Sequence, residues 1–381
     1  MRIDQTQVRK QAAGAALLAA ITFGAGCSDS PTANLTMRTL AAVAHATRTV
    51  PLDAFGIASQ FPTGGQPCTA PEYRQFDFWL GKWDAHRADN NALSGTDVIT
   101  SQLGGCAIEE SWNDGLRGRS LNAYDASIQR WTQFWVYTGG GALTPLLLQG
   151  GFADDEMAMR YDRTSATGVF VGFPPPGGIR FQFSDAYEWI PDPSTGAVYQ
   201  LDRRAFDDGT PFLAFLLRYD RVAEVTPIPV GTGGQCVSRA QNHQFDFMIG
   251  DWDIYVGRGK PNGAPEGHAV FNSDLGGCLV EEHNSEASDY RGWSFNSWSL
   301  VTQQWHRTYV DNGGHRIALS GGLSGHTMMM TGTQSSPSGS VTIRVSWEPE
   351  TQSEVLQTWE FSRDGGATWP LRRELTYVKR S

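Results

Sequence analysis

The stretch QFDFWLGKWD at residues 75–84 returns almost unchanged as QFDFMIGDWD at residues 244–253. Both copies place two phenylalanines, a glycine and a Trp-Asp pair at the same spacing. An ordered recurrence of this kind is the sequence signature of an internal repeat. The chain of 381 residues is therefore predicted to hold two copies of one domain, which agrees with roughly 150 residues for an ordinary domain.

Further matches follow in the same order. LGGC at residues 103–106 matches residues 275–278, and each copy continues one residue later with an aliphatic residue and a Glu-Glu pair. RGRSLN at residues 117–122 matches RGWSFN at residues 291–296. The predicted organisation is a first domain over 67–226, a Pro- and Gly-rich linker over 227–234 and a second domain over 235–381.

Both copies have the pattern of short β-strands. RWTQFWVY at residues 130–137 is rich in β-forming aromatic residues, and VTIRVSW at residues 341–347 alternates apolar and polar residues. Glycine-rich turn signals recur, as at residues 139–141. We predict an all-β chain with nine or ten antiparallel strands in each copy. A meander of that size is expected to close into a barrel, because closure removes exposed strand edges.

The motifs FDFxxGxWD, LGGC and DGGxTW (the last at residues 364–369) together resemble a bacterial family of unknown function with nitrobindin-like barrels. The resemblance covers both repeats. It implies two tandem calycin-like barrels of the lipocalin or nitrobindin type. Nitrobindins bind haem through a histidine near the end of the barrel, but residues 217–220 and 375–378 contain none. Haem is therefore not expected, and no other cofactor is predicted.

The segment SRDGGATW at residues 362–369 also matches the Asp-box turn of sialidase-type propellers. A propeller needs about four to eight short blades, and a period of about 170 residues does not fit that architecture. We interpret the match as a hairpin turn in which Asp364 binds backbone N–H groups and Trp369 covers the turn.

The N-terminus has the layout of a secretory signal over residues 1–26, with a basic start and a short apolar run. Small residues leading directly to Cys27 resemble the lipobox of bacterial lipoproteins, and residues 27–66 are expected to form a tether. This predicts an exported protein of the cell envelope, lipidated at Cys27 and bound to the membrane by that anchor only. The net charge of −10 argues against a nucleic-acid partner.

The remaining four cysteines follow the repeat. In an exported protein an even set of cysteines indicates disulfides, so we predict Cys68–Cys106 and Cys236–Cys278. Four buried free thiols are the alternative. No metal site is predicted, because the spacing of the cysteines and histidines is not that of metal ligands. His283 and His306 are the residues that a metal pair would use, although solvated histidines are the favoured interpretation.

Alternation along the strands places Trp131 and Trp135 on one face, and Trp305, Arg307 and Tyr309 on the equivalent face of the second copy. If these faces line a barrel, they form an aromatic pocket with a few polar anchors, which is typical of a small-molecule site. Packing of the same side chains as core is the alternative. The candidate ligand-binding residues are Glu110, Asn122, Tyr124, Trp131, Trp135, Glu282, Asn296, Trp298, Trp305 and Tyr309.

One glutamate of each adjacent pair, Glu109-Glu110 and Glu281-Glu282, is expected to face the interior and the other to be solvated, because neighbours on a strand point oppositely. The leading hypothesis for function is a binding protein for a small apolar or amphipathic ligand. The alternatives are a non-catalytic protein or glycan interaction module and a hydrolase-type enzyme that uses a buried glutamate. No catalytic residue is assigned.

Overall fold

The computed structural model describes most of the chain after residue 66. The predicted signal peptide 1–26, the tether 27–66 with Cys27, and residues 232–234 of the linker lie outside the described residues. In the part described, no helix has the length and apolar character needed to cross a membrane. The described ranges are 67–138, 144–161, 186–205, 211–231, 236–259, 263–286, 289–336 and 339–380.

The first domain is a closed barrel of ten antiparallel strands. Its strands are β1 (Gly81–Arg87), β2 (Leu93–Gln102), β3 (Ala107–Asn113), β4 (Arg117–Asp125), β5 (Arg130–Tyr137), β6 (Leu146–Ala153), β7 (Glu156–Tyr161), β8 (Ala186–Pro191), β9 (Val198–Ala205) and β10 (Pro211–Arg221). Each strand pairs with its neighbour in the chain, and β1 closes the barrel on β10.

The second domain repeats this topology. Its strands are β11 (Gly250–Val256), β12 (Gly267–Asp274), β13 (Leu279–Glu286), β14 (Arg291–Ser299), β15 (Gln304–Asp311), β16 (Arg316–Ser324), β17 (Thr327–Ser336), β18 (Gly339–Thr351), β19 (Glu354–Ser362) and β20 (Leu371–Lys379). Strand β11 closes on β20. The prediction of two tandem closed antiparallel barrels in an all-β chain is confirmed. Lipocalin barrels have eight strands, and these have ten.

The repeated QFDF motif closes one end of each barrel. It forms a short 3₁₀ helix, Asp77–Trp79 in the first barrel and Asp246–Met248 in the second. Phe76 and Phe245, just before these helices, are completely buried. In the second barrel the ring of Phe245 packs edge-on against Trp305 and Trp347. We call this end of each barrel the floor.

The glycine of the motif and the tryptophan of its Trp-Asp pair fix how the chain passes from the floor into the first strand of each barrel. Gly250 has a φ of +141°, a backbone conformation that side chains disfavour, and a Cβ there would lie 2.7 Å from Lys379. The indole Nε1 of Trp252 donates a hydrogen bond to the carbonyl oxygen of Met248, at 2.7 Å. Trp83 donates in the same way to Trp79 at 2.8 Å.

Each floor is joined covalently to its barrel. Disulfides link Cys68 to Cys106 and Cys236 to Cys278, across 38 and 42 residues of chain. Both predicted pairings are confirmed, and the alternative of free thiols is wrong. The second cysteine of each pair follows the Leu-Gly-Gly turn and precedes the third strand of its barrel.

The Asp-box segment is a turn between β19 and β20, as the sequence indicated. One carboxylate oxygen of Asp364 accepts a hydrogen bond from the backbone N–H of Thr368 at 2.9 Å, and the other accepts from the hydroxyl of Thr368 at 2.6 Å. Trp369 lies against Gly366, and the guanidinium of Arg344 stacks over its ring at 4.1 Å.

The outer faces of β4 and β5 pack against those of β13 and β14, so the two barrels share a buried apolar cluster. Phe134 and Phe295 meet edge-on, with ring centroids 6.4 Å apart. Beside this contact, Arg119 forms ion pairs with Glu109 of its own barrel and with Glu281 of the other. The expectation that Glu109 and Glu281 are solvated is wrong. Strand alternation placed them outside a barrel, but it carried no information about what covers that outer face.

Candidate functional site

The second barrel contains a cavity of about 220 Å³ on the side away from its floor. Strands β11, β13, β15, β16, β19 and β20 contribute to its wall, and the turn before β14 adds one tyrosine. The lining residues are Ile254, Glu282, Asn284, Glu286, Tyr290, Arg307, Tyr309, Asp311, His315, Ile317, Gln357, Trp359, Phe361, Arg372, Arg373, Leu375 and Tyr377.

An ion pair lies at the deep end of this cavity. Nη2 of Arg307 on β15 donates to Oε2 of Glu282 on β13 at 2.6 Å, and each side chain is only 1 % exposed. The guanidinium also donates to Ser294 Oγ at 2.7 Å and to Asn296 Oδ1 at 3.0 Å. Asn296 is itself held by the carbonyl oxygen of Val280 at 2.9 Å. The pair is thus fixed by neighbouring strands, which is what a buried ion pair requires.

Each partner of the ion pair has one polar atom that makes no hydrogen bond in the described structure. Oε1 of Glu282 and Nε of Arg307 are buried and have no hydrogen-bond partner among the described residues. A buried polar atom without a partner loses roughly 1–3 kcal/mol relative to hydration, and more when it is charged. Because Glu282 and Arg307 both line the cavity, these atoms are the places where a bound molecule would gain hydrogen bonds.

A second group of hydrogen bonds lies along the same wall, beyond the ion pair. The hydroxyls of Tyr309 and Tyr290 are hydrogen-bonded to each other, and Tyr290 donates to Asp311 at 3.4 Å. Burial raises the pKa of Tyr309, and the charge of Asp311 adds to that increase. Burial disfavours a charged His315, but the hydrogen bond from its ring to Asp311 and the negative charge of Asp311 together outweigh this and raise the pKa of His315.

Apolar side chains also line the cavity, and its mouth is charged. Ile254, Ile317 and Leu375 present aliphatic side chains to the cavity. At the mouth, Arg373 donates to Glu286 at 2.8 Å. The site therefore combines a polar deep end, apolar side chains along its walls and a charged rim, the composition expected of a pocket for an amphipathic molecule.

The first barrel carries a different version of the same polar centre. Glu110, Ser120 and Asn122 occupy the positions of Glu282, Ser294 and Asn296, with the same pairing between strands. Gln133 stands where the second barrel has Arg307. Oε2 of Glu110 accepts from Ser120 at 2.5 Å and from Gln133 at 3.3 Å.

In the first barrel a second carboxyl, rather than an arginine, lies beside Glu110. Asp97 on β2 is completely buried beside it. Burial, followed by the charge of Glu110 and a hydrogen bond with it, raises the pKa of Asp97 well above its usual range. Burial also raises the pKa of Glu110 to about 7. The second barrel has Ala269 in place of Asp97, as the pairings with Trp83 and Trp252 show.

Two tryptophans occupy the upper interior of the first barrel where the second barrel lines its cavity. Trp112 and Trp135 stand at the positions of Asn284 and Tyr309, and both pack against the core. The cavity wall of the second barrel is therefore built from smaller or more polar side chains at these two positions.

Only two of the predicted ligand-binding residues line the cavity, namely Glu282 and Tyr309. Asn296 lies directly beneath it, bonded to Arg307. Trp305 is at the floor, where its Nε1 donates to Gln244 at 3.1 Å, and Trp298 packs against the same core. Strand alternation correctly identified which side chains point into the barrel. It does not show how far along the barrel axis each of them lies.

The predicted residues of the first barrel divide in the same way. Glu110 and Asn122 belong to the buried polar centre. Trp131 is a floor residue whose Nε1 donates to the carbonyl oxygen of Glu72 at 3.1 Å, and Tyr124 packs edge-on against Tyr73. Trp135 stacks on Tyr137 near the other end.

His283 and His306 do not meet. They lie on β13 and β15, which are separated by β14, and His283 stacks on Trp293 outside the barrel. His306 is hydrogen-bonded to Thr302 at 2.7 Å, and burial lowers its pKa to about 4, so a solvated histidine is the wrong interpretation for this residue. Within the described ranges no group of three or more potential ligands is placed to hold a metal ion.

Most of the cavity wall was missed from the sequence. Arg307 was placed on the correct face but was not selected, because its counterpart Gln133 is uncharged and the selection favoured residues shared by both copies. Asn284 was missed for a similar reason, since Trp112 is its counterpart. A comparison of the repeats that searched for differences at inward-facing positions would have identified both.

No protein-family model matches the chain, and no curated protein matches its sequence. Among solved structures, a protein of unknown function of the DUF3598 family from Nostoc punctiforme aligns with 82% of this chain and 100% of its own, at 10% identity and a TM-score of 0.22. The vaccine antigen transferrin-binding protein B from Haemophilus parasuis aligns with 79% of this chain and 76% of its own, at 9% identity and a TM-score of 0.16. Both TM-scores are below 0.5, so neither likeness carries an argument about this chain.

Proposed function

We propose that the chain is an exported binding protein whose second barrel holds a small amphipathic molecule. The observation that carries the proposal is the cavity of about 220 Å³ that the Glu282–Arg307 pair lines together with apolar side chains. A buried ion pair is weak as a stabilising device, because replacement by well-packed hydrophobic residues is often neutral or favourable. A cluster of polar groups in a mostly apolar cavity is the usual composition of a ligand site.

Two further parts of the proposal concern the compartment in which the protein is found and its relationship to known barrel families. The two disulfides support export, because such bonds persist mainly in oxidising compartments. Lipidation at Cys27 and attachment to the cell envelope remain proposals that rest on the resemblance to a lipobox. The relationship to calycin-type barrels remains a proposal as well, supported by the three shared motifs and the closed meander.

The first test is to identify what the protein carries. The full chain, purified from an oxidising compartment without denaturation, is extracted with solvent and the extract is analysed by mass spectrometry. A near-stoichiometric amphipathic molecule is the expected result. The same preparation gives the mass of the mature N-terminus, which shows directly whether Cys27 is its first residue and carries lipid.

A pair of matched variants assigns the molecule to one barrel. Leu375→Phe adds volume to the cavity wall and should remove the bound molecule. Leu217→Phe makes the same change at the equivalent position of the first barrel, since each leucine lies opposite a glutamine of the preceding strand. Retention by Leu375→Phe, or an extract without any bound molecule from a preparation that also binds no added amphiphile, would overturn the proposal.

A further inference from the structure

The polar centre of the first barrel shows which group fits against the buried glutamate. In the first barrel the completely buried carboxyl of Asp97 lies beside Glu110, and burial together with the charge of Glu110 raises the pKa of Asp97 well above its usual range. In the second barrel Ala269 replaces Asp97 and cannot donate. Oε1 of Glu282 is left without a partner in the described structure. The two barrels thus differ by one buried carboxyl group next to the same glutamate.

We propose that the ligand of the second barrel bears a neutral hydroxyl group, which donates to Oε1 of Glu282 from the place that Asp97 occupies in the first barrel. This inference rests on the proposed function and names the class of ligand for that same cavity, an amphipathic alcohol rather than an acid or an amine.

The charges at the deep end of the cavity disfavour charged head groups. A carboxylate would face the negative Glu282 in a site of low dielectric, and an ammonium group would face the positive Arg307. The pair itself is neutral, so a neutral head group avoids both repulsions. The unpartnered atoms are an acceptor, Glu282 Oε1, and a donor, Arg307 Nε, and a hydroxyl group both donates and accepts.

The apolar side chains that line the cavity would contact the hydrocarbon part of the ligand. Ile254, Ile317 and Leu375 line the side of the cavity, and a short alkyl chain that extends from the hydroxyl toward the mouth would contact them. The charged rim formed by Glu286 and Arg373 lies at the far end of such a chain.

The test compares three probes that differ only in the head group: octan-1-ol, octanoate and octylammonium. Calorimetric titration of the full chain near pH 7 should show octan-1-ol binding at least about tenfold more tightly than either charged probe, since a hydrogen bond to a charged group is worth that factor or more. Octanoate or octylammonium binding as tightly as the alcohol would overturn the inference while leaving the proposed function intact. Failure of all three probes would count against both.

A substitution of Ala269 provides a second, independent measurement. Ala269→Asp introduces the side chain of the first barrel and should weaken octan-1-ol binding by about tenfold, because the new carboxyl takes the donor position. Ala318→Asp is the matched control, since Ala318 lies on the exposed outer face of β16, and it should leave the affinity unchanged. A folded Ala269→Asp protein that binds the alcohol as the unmodified chain does would overturn the inference.

Glu282→Gln tests the role of charge in the same site. This variant leaves Arg307 with its positive charge and without its carboxylate partner, so the preference should change from octan-1-ol to octanoate. An unchanged preference for the alcohol in a folded Glu282→Gln protein would contradict the assignment of Glu282 as the group that recognises the head.

Discussion

Glu282 and Arg307 are joined by a 2.6 Å ion pair inside the second barrel, at positions where the first barrel has Glu110 and Gln133. The two barrels therefore surround the same buried glutamate differently. One places an arginine beside it, and the other places a second buried carboxyl, that of Asp97, there. This difference makes the polar centres separately testable.

Arg307→Gln should destabilise the second barrel by about 3–5 kcal/mol, because it leaves a buried carboxylate without its partner. Denaturant unfolding followed by tryptophan fluorescence measures this change. The double variant Arg307→Gln with Ala269→Asp rebuilds the polar centre of the first barrel and should recover part of the loss. A single variant within about 0.5 kcal/mol of the unmodified chain, the range of an ordinary surface substitution, would show that the pair contributes little.

The first barrel should lose stability as the pH rises from about 4.5 to 7. Burial raises the pKa of Glu110 from 4.5 to about 7, so in this interval the folded state binds more protons than the unfolded state. The free energy of unfolding then falls with increasing pH. The raised pKa of Asp97 extends the loss to higher pH.

Unfolding curves at pH 5 and pH 8 measure this dependence. Glu110→Gln should reduce it, because the amide does not titrate. The effect is separate from acid unfolding, in which groups with a lowered pKa, such as Asp364, lose their stabilising contribution at much lower pH. Identical slopes for Glu110→Gln and the unmodified chain would contradict this account.

Arg119→Ala should destabilise the packed pair of barrels by about 3 kcal/mol or more, because three carboxylates, those of Glu109, Asp274 and Glu281, then lose a cation that is only 11% exposed. Arg117→Ala is the matched control. Arg117 pairs with Asp274 at 3.0 Å but is 40% exposed, so its loss should stay below about 1 kcal/mol. Equal effects of the two variants on the unfolding midpoint would argue against a structural role for Arg119.

Removal of the second disulfide should lower the free energy of unfolding by about 4 kcal/mol, the chain-entropy value for a closed loop of its length. The double variant Cys236→Ala with Cys278→Ala is compared with the unmodified chain by thermal unfolding in non-reducing buffer. The first-barrel pair Cys68→Ala with Cys106→Ala provides an internal comparison, since its loop is nearly as long. A melting temperature unaffected by either change would contradict the prediction.

The sequence was sufficient for the architecture because the relevant signals are local or repeated. Alternation identified the strands, and the recurrence of Cys106 as Cys278 gave the disulfide pairing. The binding site was less predictable. Trp131 and Trp305 were selected as pocket residues but lie at the floor. Side-chain alternation shows which face of a strand a residue is on, and it does not show the position of the residue along the barrel axis.

The contacts between the barrels were not predictable from the same signals. Arg119 and Glu281 belong to different copies of the repeat, and their contact depends on how two closed surfaces dock. The cavity likewise depends on differences between the copies, such as Ala269 in the second barrel where the first has Asp97. A search for motifs that both copies share does not detect such differences.

The disulfide between Cys68 and Cys106 has a mechanical consequence. Between the two cysteines lie the floor helix, β1 and β2, so these elements form part of one covalent ring. Tension applied through the chain that precedes Cys68 passes through the sulfur atoms directly to the start of β3. Pulling from that side therefore loads β3 before the floor or the first two strands, and the hydrogen bonds that join β3 to its neighbours β2 and β4 are the first to bear the force.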